Sequence, residues 1–478
     1  MERTIRGHAA QGALGSALLA AGGWGAGALT TGEPSGLWGI PAPPLVVLGA
    51  VMAYAGLTLL VVAWWRLGSA VRNGRVMSRR QRWVVLGWWA LPMAACPLLF
   101  SSDAYSYVAQ GAIAHQGWDV YGVGPSVLGG GLAGNVPAMW RGTPAPYGPL
   151  SVAMSETVVS VTGEQRVVVA VLGLRLLALA GLVLLAWAVQ RLAAVTGVTP
   201  CGAWWAAPLN PLVLVHLVGG AHNEALMVGL MMVGFVAFGG GRWVVGTLAM
   251  ISAVLVKAPA AVALLCAAVV AVAGQPGGRR RCRRAVEITV VAVAGLLAGV
   301  ALCGRGWGWL HTAGESDRVF TALSLSTDAG RVWGAATQAL GWGTTDDAVT
   351  LARGVGLAGG ACAVAWCAWR APRTGAAYAA GRGLLAVVVS APVVQPWYLL
   401  WGGVPLAAVA WPVLARPWAK ATMVGMLLVV LPSGLGLTWA YGMAAVTGVS
   451  LTSVGLAAWA VWRRPVPAVG AAPARALR

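Results

Sequence analysis

Charge is what this sequence lacks. Only 9% of its 478 residues are charged, against roughly 25% in a soluble domain. Acids are scarcest, 13 against 32 Lys and Arg. So little polar surface cannot cover a soluble globule. With 59% hydrophobic residues and a mean hydropathy of +0.76, disorder is excluded as well. The seven cysteines are an odd number and hold no CxxC pair, which argues against a disulfide framework or a thiolate metal site. Most, including Cys201, Cys266, Cys362 and Cys367, lie in or beside apolar runs and read as small packing residues. There are five histidines, and none stands at ligand spacing from His222. The residues therefore indicate no certain cofactor, and a divalent cation stays open without being indicated. Strict polar–apolar alternation is also missing, which argues against a transmembrane barrel.

What is present is long apolar runs, such as Leu174–Val189 and Ala421–Leu431. One span needs about 20 apolar residues, and the pattern predicts an all-α polytopic membrane protein with about 14 transmembrane helices, from 11–30 to 441–461. Two candidates, 243–256 and 258–273, are short and meet at Lys257, where they form a hairpin that does not fully cross or two short spans. Arg3 and Arg6 before a Gly/Ala-rich stretch suggest a first span, or a signal peptide without a clear cleavage site.

The net charge of +19 reads as topology determinants beside anionic lipid, not as a nucleic-acid surface. The clusters Arg66–Arg82 and Arg279–Arg284 are placed on the cytoplasmic side. Alternating sides at each span then puts most basic residues inside, with Arg141, Arg166, Arg305, Arg318, Arg331 and Arg353 outside. Arg175 and Lys257 fall within the membrane region. Of the acids, only Glu2 and Glu287 land inside, and this asymmetry is independent of the rule that set the topology. Two long outer loops follow, about 101–166 and 304–349, the first with an apolar stretch at 149–161. Residues 1–464 are expected to form a single integral membrane domain and 465–478 a flexible cytoplasmic tail. The expected location is the plasma membrane, with the active site on the outer face.

The candidate site residues are polar groups at outer junctions. Asp103 directly follows the third span, beside Tyr105, Tyr107 and Gln110. It is placed either as a general base on a polar substrate, or Ser102 or Asp103 is the N-cap that opens an interfacial helix. Trp140, Arg141 and Tyr147 lie further along the same loop and offer faces for sugar C–H groups, or an interfacial aromatic belt. His222, Asn223 and Glu224 are adjacent polar residues between two apolar segments, expensive unless satisfied or used. Lys257 is either a snorkelling residue or the partner of an anion such as a lipid phosphate. Gln395, Trp397 and Tyr398 sit at another outer junction, with Trp401 one helical turn on. The derived topology puts all these groups on one side of the membrane.

The stretches Ser102–Gly111, Gly117–Pro125, Trp140–Pro149, Asn210–Glu224 and Gln395–Trp401 together resemble the actinobacterial polyprenol-phosphate-mannose-dependent α-(1→6)-mannosyltransferases. The resemblance covers about residues 80 to 440 and implies a GT-C glycosyltransferase fold. It implies a polyprenyl-phosphate mannose donor, a mannoside or glycolipid acceptor in lipomannan backbone synthesis, and a catalytic Asp that falls on Asp103. Many GT-C enzymes have two adjacent acids here, whereas Ala104 follows Asp103. The alternatives are another lipid-phosphate-sugar transferase (arabinosyl, glucosyl or protein O-mannosyl) and a lipid-linked sugar transporter or flippase. A transporter is expected to show internal repeats and mid-span charges; no repeat is evident, and the acids sit in outer loops.

Overall fold

The computed structural model describes residues 3–33, 35–312, 314 and 323–434. The expected span at 441–461, the end of the one at 421–438, the tail 465–478 and Arg318 lie outside the described residues. Among the described residues the chain is helical, with two isolated bridges and no strand. Most of each apolar run read from the sequence within this range falls on helix, although the 83–100 run leaves helix after Ala94 and Ala421–Leu431 after Leu428.

Helices α1 (Arg3–Ala26) and α2 (Pro43–Arg72) pack as a close pair. Small residues permit this: a Cβ on Gly22 of α1 would lie 2.4 Å from the Ala53 amide nitrogen of α2. Helix α3 (Arg79–Ala94) opens on a capping box between Ser78 and Gln81. A non-helical stretch then leads into α4 (Asp103–His115). After the short α5 (Gly130–Asn135), the apolar stretch expected at 149–161 forms α6 (Pro149–Thr162).

Helix α7 (Val167–Val195) is continuous, and α8 (Pro200–Ala206) follows it. Trp205 on α8 and Trp64 on α2 each donate their indole N–H to the other's carbonyl at 2.8 Å, with stacked rings. Residues Val213–Gly219 are wound as a π-helix, a geometry frequent at functional sites. They meet α9 (Glu224–Gly239) at a bend of 116°. Helices α10 (Trp243–Val256) and α11 (Ala261–Ala273) are separated at Lys257–Pro259, where Pro259 cannot continue the helix. The remainder comprises α12 (Gly278–Cys303), α13 (Trp309–Thr312), α14 (Leu325–Ala339), α15 (Thr345–Thr374), α16 (Ala376–Ser390), α17 (Leu399–Leu414) and α18 (Pro417–Leu428).

Five of the described helical segments are long and apolar enough to cross a membrane, or six if the bent pair is one span. This is the signature of a multi-pass membrane protein. Fewer helices meet that length than the apolar runs suggested, because several runs are broken. The 201–218 run divides into α8 and the π-helix, and α10, α11 and α16 are short.

Breaks inside a bilayer leave carbonyls without water to bind. Arg175 of α7, 1% exposed, supplies what is missing. Its guanidinium donates to the carbonyls of Val218 and Gly219 and to those of Ala94 and Cys96. The mid-membrane charge seen in the sequence is thus a structural fastener.

Candidate active site

A cleft of about 250 Å³ opens where these breaks meet. One wall is the cleft face of α4, carrying Asp103, Ser106 and Gln110. Lys257, Gln395, Tyr398 and Trp401 line the same cleft. Trp140, Tyr147 and a run of prolines, Pro144, Pro146, Pro259 and Pro392, complete the lining.

Two left-handed residues deliver the chain to this place. Phe100, with φ of 56°, precedes the Ser101–Asp103 entry to α4, and Ala221, with φ of 53°, precedes His222. Such backbone strain in non-glycine residues clusters at functional sites. Asp103 begins α4, where the helix dipole favours a carboxylate. Ser102 holds the cap position without a side-chain cap bond. Asp103 is therefore not the N-cap, and its carboxylate faces the cleft.

Glu224 begins α9 and is fully buried. One carboxylate oxygen pairs with the Lys257 ammonium. The other lies 3.5 Å from Nδ1 of His222, whose ring packs 4.0 Å from that of Trp397. The Lys257 ammonium also stands over the rings of Tyr398, Tyr147 and Trp401, at 4.7, 5.3 and 5.3 Å. Lys257 is thus held by a buried anion and three aromatic faces, not snorkelling towards water. Gly148 makes the aromatic contact possible. Its N–H bonds the Val256 carbonyl, and a Cβ there would lie 2.1 Å from the Leu255 carbonyl oxygen.

Burial raises the pKa of Asp103, and nearby Glu224 raises it further, while His222 and Lys257 pull it down. The net direction is upward, as a proton acceptor near neutral pH requires. Burial likewise raises Tyr107 and Tyr147 well above the usual phenol range. Both stay protonated, and their rings meet edge to face at 5.0 Å.

Of the residues singled out in the sequence, Asp103, Gln110, Trp140, Tyr147, Lys257, Gln395 and Tyr398 line the cleft. His222, Glu224 and Trp397 stand behind Lys257. Asn223 donates to Ser151 of α6, and Tyr107 supports Tyr147. Two placements correct the sequence reading. Tyr105 is turned away from the cleft and donates to the Ala28 carbonyl at 2.6 Å. Arg141 folds back onto the Val136 and Gly134 carbonyls and fastens its own loop. Of the second-loop arginines, Arg305 pairs with Glu156 of α6; Arg353, on α15, bonds Thr327. Sequence reasoning gave no role to Ser106, although it lies one helical turn from Asp103. The lining prolines carried no signal of their own. Among the described residues no three His, Cys, Asp or Glu side chains gather as a metal site would require.

Tyr105→Phe tests the first correction. It is expected to cost about 1 kcal/mol of stability by orphaning the Ala28 carbonyl, read as a lower thermal midpoint in detergent, with substrate KM unchanged. A raised KM at unchanged stability would return Tyr105 to the site.

Comparison with known proteins bears directly on this cleft. A family model described as alpha-(1→6)-mannopyranosyltransferase, N-terminal domain, matches residues 9–273. This chain belongs to the alpha-(1→6)-mannopyranosyltransferase family. A second model, the MptB C-terminal domain, matches residues 326–462. Within the family, a probable alpha-(1→6)-mannopyranosyltransferase of Mycolicibacterium smegmatis is 35% identical, over 88% of this chain and 81% of its own length. Alpha-(1→6)-mannopyranosyltransferase A of Mycobacterium tuberculosis is also 35% identical, over 88% of this chain and 83% of its own. Alpha-(1→6)-mannopyranosyltransferase B of Corynebacterium glutamicum is 29% identical, over 89% and 77%. The N-terminal family model contains Asp103, His222, Glu224 and Lys257, and the C-terminal one contains Gln395, Tyr398 and Trp401. Both matched regions of this mannopyranosyltransferase-family chain therefore contribute to one cleft.

Proposed function

We propose that the cleft transfers mannose from a polyprenyl-phosphate mannose to a mannoside or glycolipid acceptor, forming α-(1→6) linkages. The observation that carries the reading is Asp103, a carboxylate of raised pKa, in one cleft with Lys257. Family membership supports the sugar and the linkage. The apolar helices around the cleft supply the environment that a lipid-borne donor requires.

The chemistry follows from these two groups. Asp103 takes the proton of the acceptor's primary hydroxyl as its oxygen attacks the anomeric carbon of the donor. The new C–O bond forms as the bond to phosphate breaks, and polyprenyl phosphate leaves with the electron pair. A β-linked donor then gives an α-linked product by a single inverting displacement. Lys257 offers its ammonium to the leaving phosphate. Bringing both partners into one small cleft supplies the proximity contribution.

In this reading the chain is a GT-C enzyme with about 14 spans and both termini in the cytoplasm. The cleft opens on the outer face of the plasma membrane, where the donor is presented. The test uses the full-length protein in membranes with radiolabelled polyprenyl-phosphate mannose and a short mannoside acceptor, followed by linkage analysis. Label in an α-(1→6) product is expected. Label transferred from an arabinose or glucose donor instead, or movement of intact donor across the bilayer without transfer, would overturn the reading.

The pH profile gives a second test. The base must be ionised, so transfer falls as pH drops through the Asp103 pKa. Because that pKa is raised, the acid limb is expected above about 3.9, the ordinary value for Asp. An acid limb at the ordinary value would remove Asp103 as the group responsible.

A further inference from the structure

Helix α4 presents Asp103, Ser106 and Gln110 to the cleft, at positions i, i+3 and i+7 of one face. Ser106 is only 4% exposed, and its hydroxyl has no hydrogen-bond partner. A hydroxyl inside a helix has a partner to hand in the carbonyl four residues earlier. Ser69, Ser252, Thr58, Thr157, Thr247 and Thr422 all take it. Ser106 does not. Ser16 of α1 is also buried without a partner but does not line the cleft. A buried hydroxyl left unpaired is unfavourable, and occupation of the cleft would relieve it.

The groups lining the cleft differ in what they can bind. Lys257 and Trp401 offer only donors, and the Trp401 indole N–H is likewise buried and unpartnered. Those two donors suit an anion, while Gln395 and Tyr398 beside them can also accept. Ser106 and Gln110 both donate and accept, as a sugar hydroxyl does. Residues i and i+3 are separated by about 4.5 Å along the helix, a distance that a hexopyranose bridges between two of its hydroxyls.

We propose that Ser106 binds a second hydroxyl of the acceptor sugar whose attacking hydroxyl is held by Asp103, and so determines which acceptors are used. The assignment rests on the transferase reading of the cleft. Aligning the acceptor by two hydroxyls restricts its rotation about the attacking oxygen, so the contact contributes to rate and to selection together.

The experiment compares wild type, Ser106→Ala and Ser106→Thr on mannoside acceptors in which each non-attacking hydroxyl in turn is replaced by hydrogen. For the full acceptor, S106A is expected to lower kcat/KM about tenfold, the size of one neutral hydrogen bond. S106T, which keeps the hydroxyl, is expected to stay within a few-fold of wild type. For one deoxy acceptor, wild type and S106A are expected to be equally slow, because the contact is already absent. Equal losses by S106A on every acceptor, or no loss on any, would overturn the assignment. If S106A does not fold, Ser106→Cys replaces it under the same criterion. Failure of the underlying reading looks different: Asp103→Asn would then transfer mannose as fast as wild type, whatever the acceptor.

Discussion

Asp103→Asn is expected to yield a folded protein that transfers mannose about 10²–10⁴-fold more slowly than wild type, the range a general base contributes. The amide keeps the shape and the helix start but cannot take a proton. Stability is expected to hold or rise slightly, because the carboxylate is costly in its place: burial and Glu224 both oppose its charge. The measurement is initial transfer rate at saturating acceptor, alongside thermal unfolding in detergent. The acid limb of the pH profile should vanish from whatever rate remains. Near wild-type transfer by a folded Asp103→Asn protein would assign the proton to another group.

Lys257→Ala is expected to have the second-largest effect, through two separable routes. Glu224 is fully buried, so removing its cation leaves an unpaired charge, at a cost of about 3–5 kcal/mol in stability. The leaving phosphate also loses its ammonium, so donor KM rises and transfer falls. The double variant Lys257→Met, Glu224→Gln separates the routes. It carries no buried charge at either position and is expected to recover most of the lost stability while staying poorly active. If the double variant regained both stability and wild-type donor affinity, Lys257 would be a purely structural partner of Glu224.

The sequence made the helices legible because lipid imposes a strong pattern. Most of each apolar run in the described range falls on helix, since a lipid-facing backbone must satisfy itself. How those helices break was not legible. The π-helix at Val213–Gly219 and its 116° bend are held by Arg175, whose partners lie far off in sequence. Asp103 stood out because it is an acid at the end of an apolar run. Its meeting with Lys257 in one cleft was anticipated only as a shared side of the membrane. The Glu224–Lys257 pair joins residues 33 apart, and no local pattern specifies it.

One of the two misplacements has a simple geometry. At 100° per residue, Tyr105 points about 200° around α4 from Asp103, so the two could not share a face. Ser106 and Gln110 return to the Asp103 side at i+3 and i+7, a periodicity present in the sequence. Arg141 offered no such clue. Its guanidinium satisfies turn carbonyls whose positions exist only in the folded loop.

The four carbonyls gathered by Arg175 have a consequence for registration. Cys96 lies seven residues before Asp103, and Gly219 three before His222. A single side chain that touches neither functional group therefore fixes the height of one chain segment against the other. The acid and the imidazole thus share one anchor on α7.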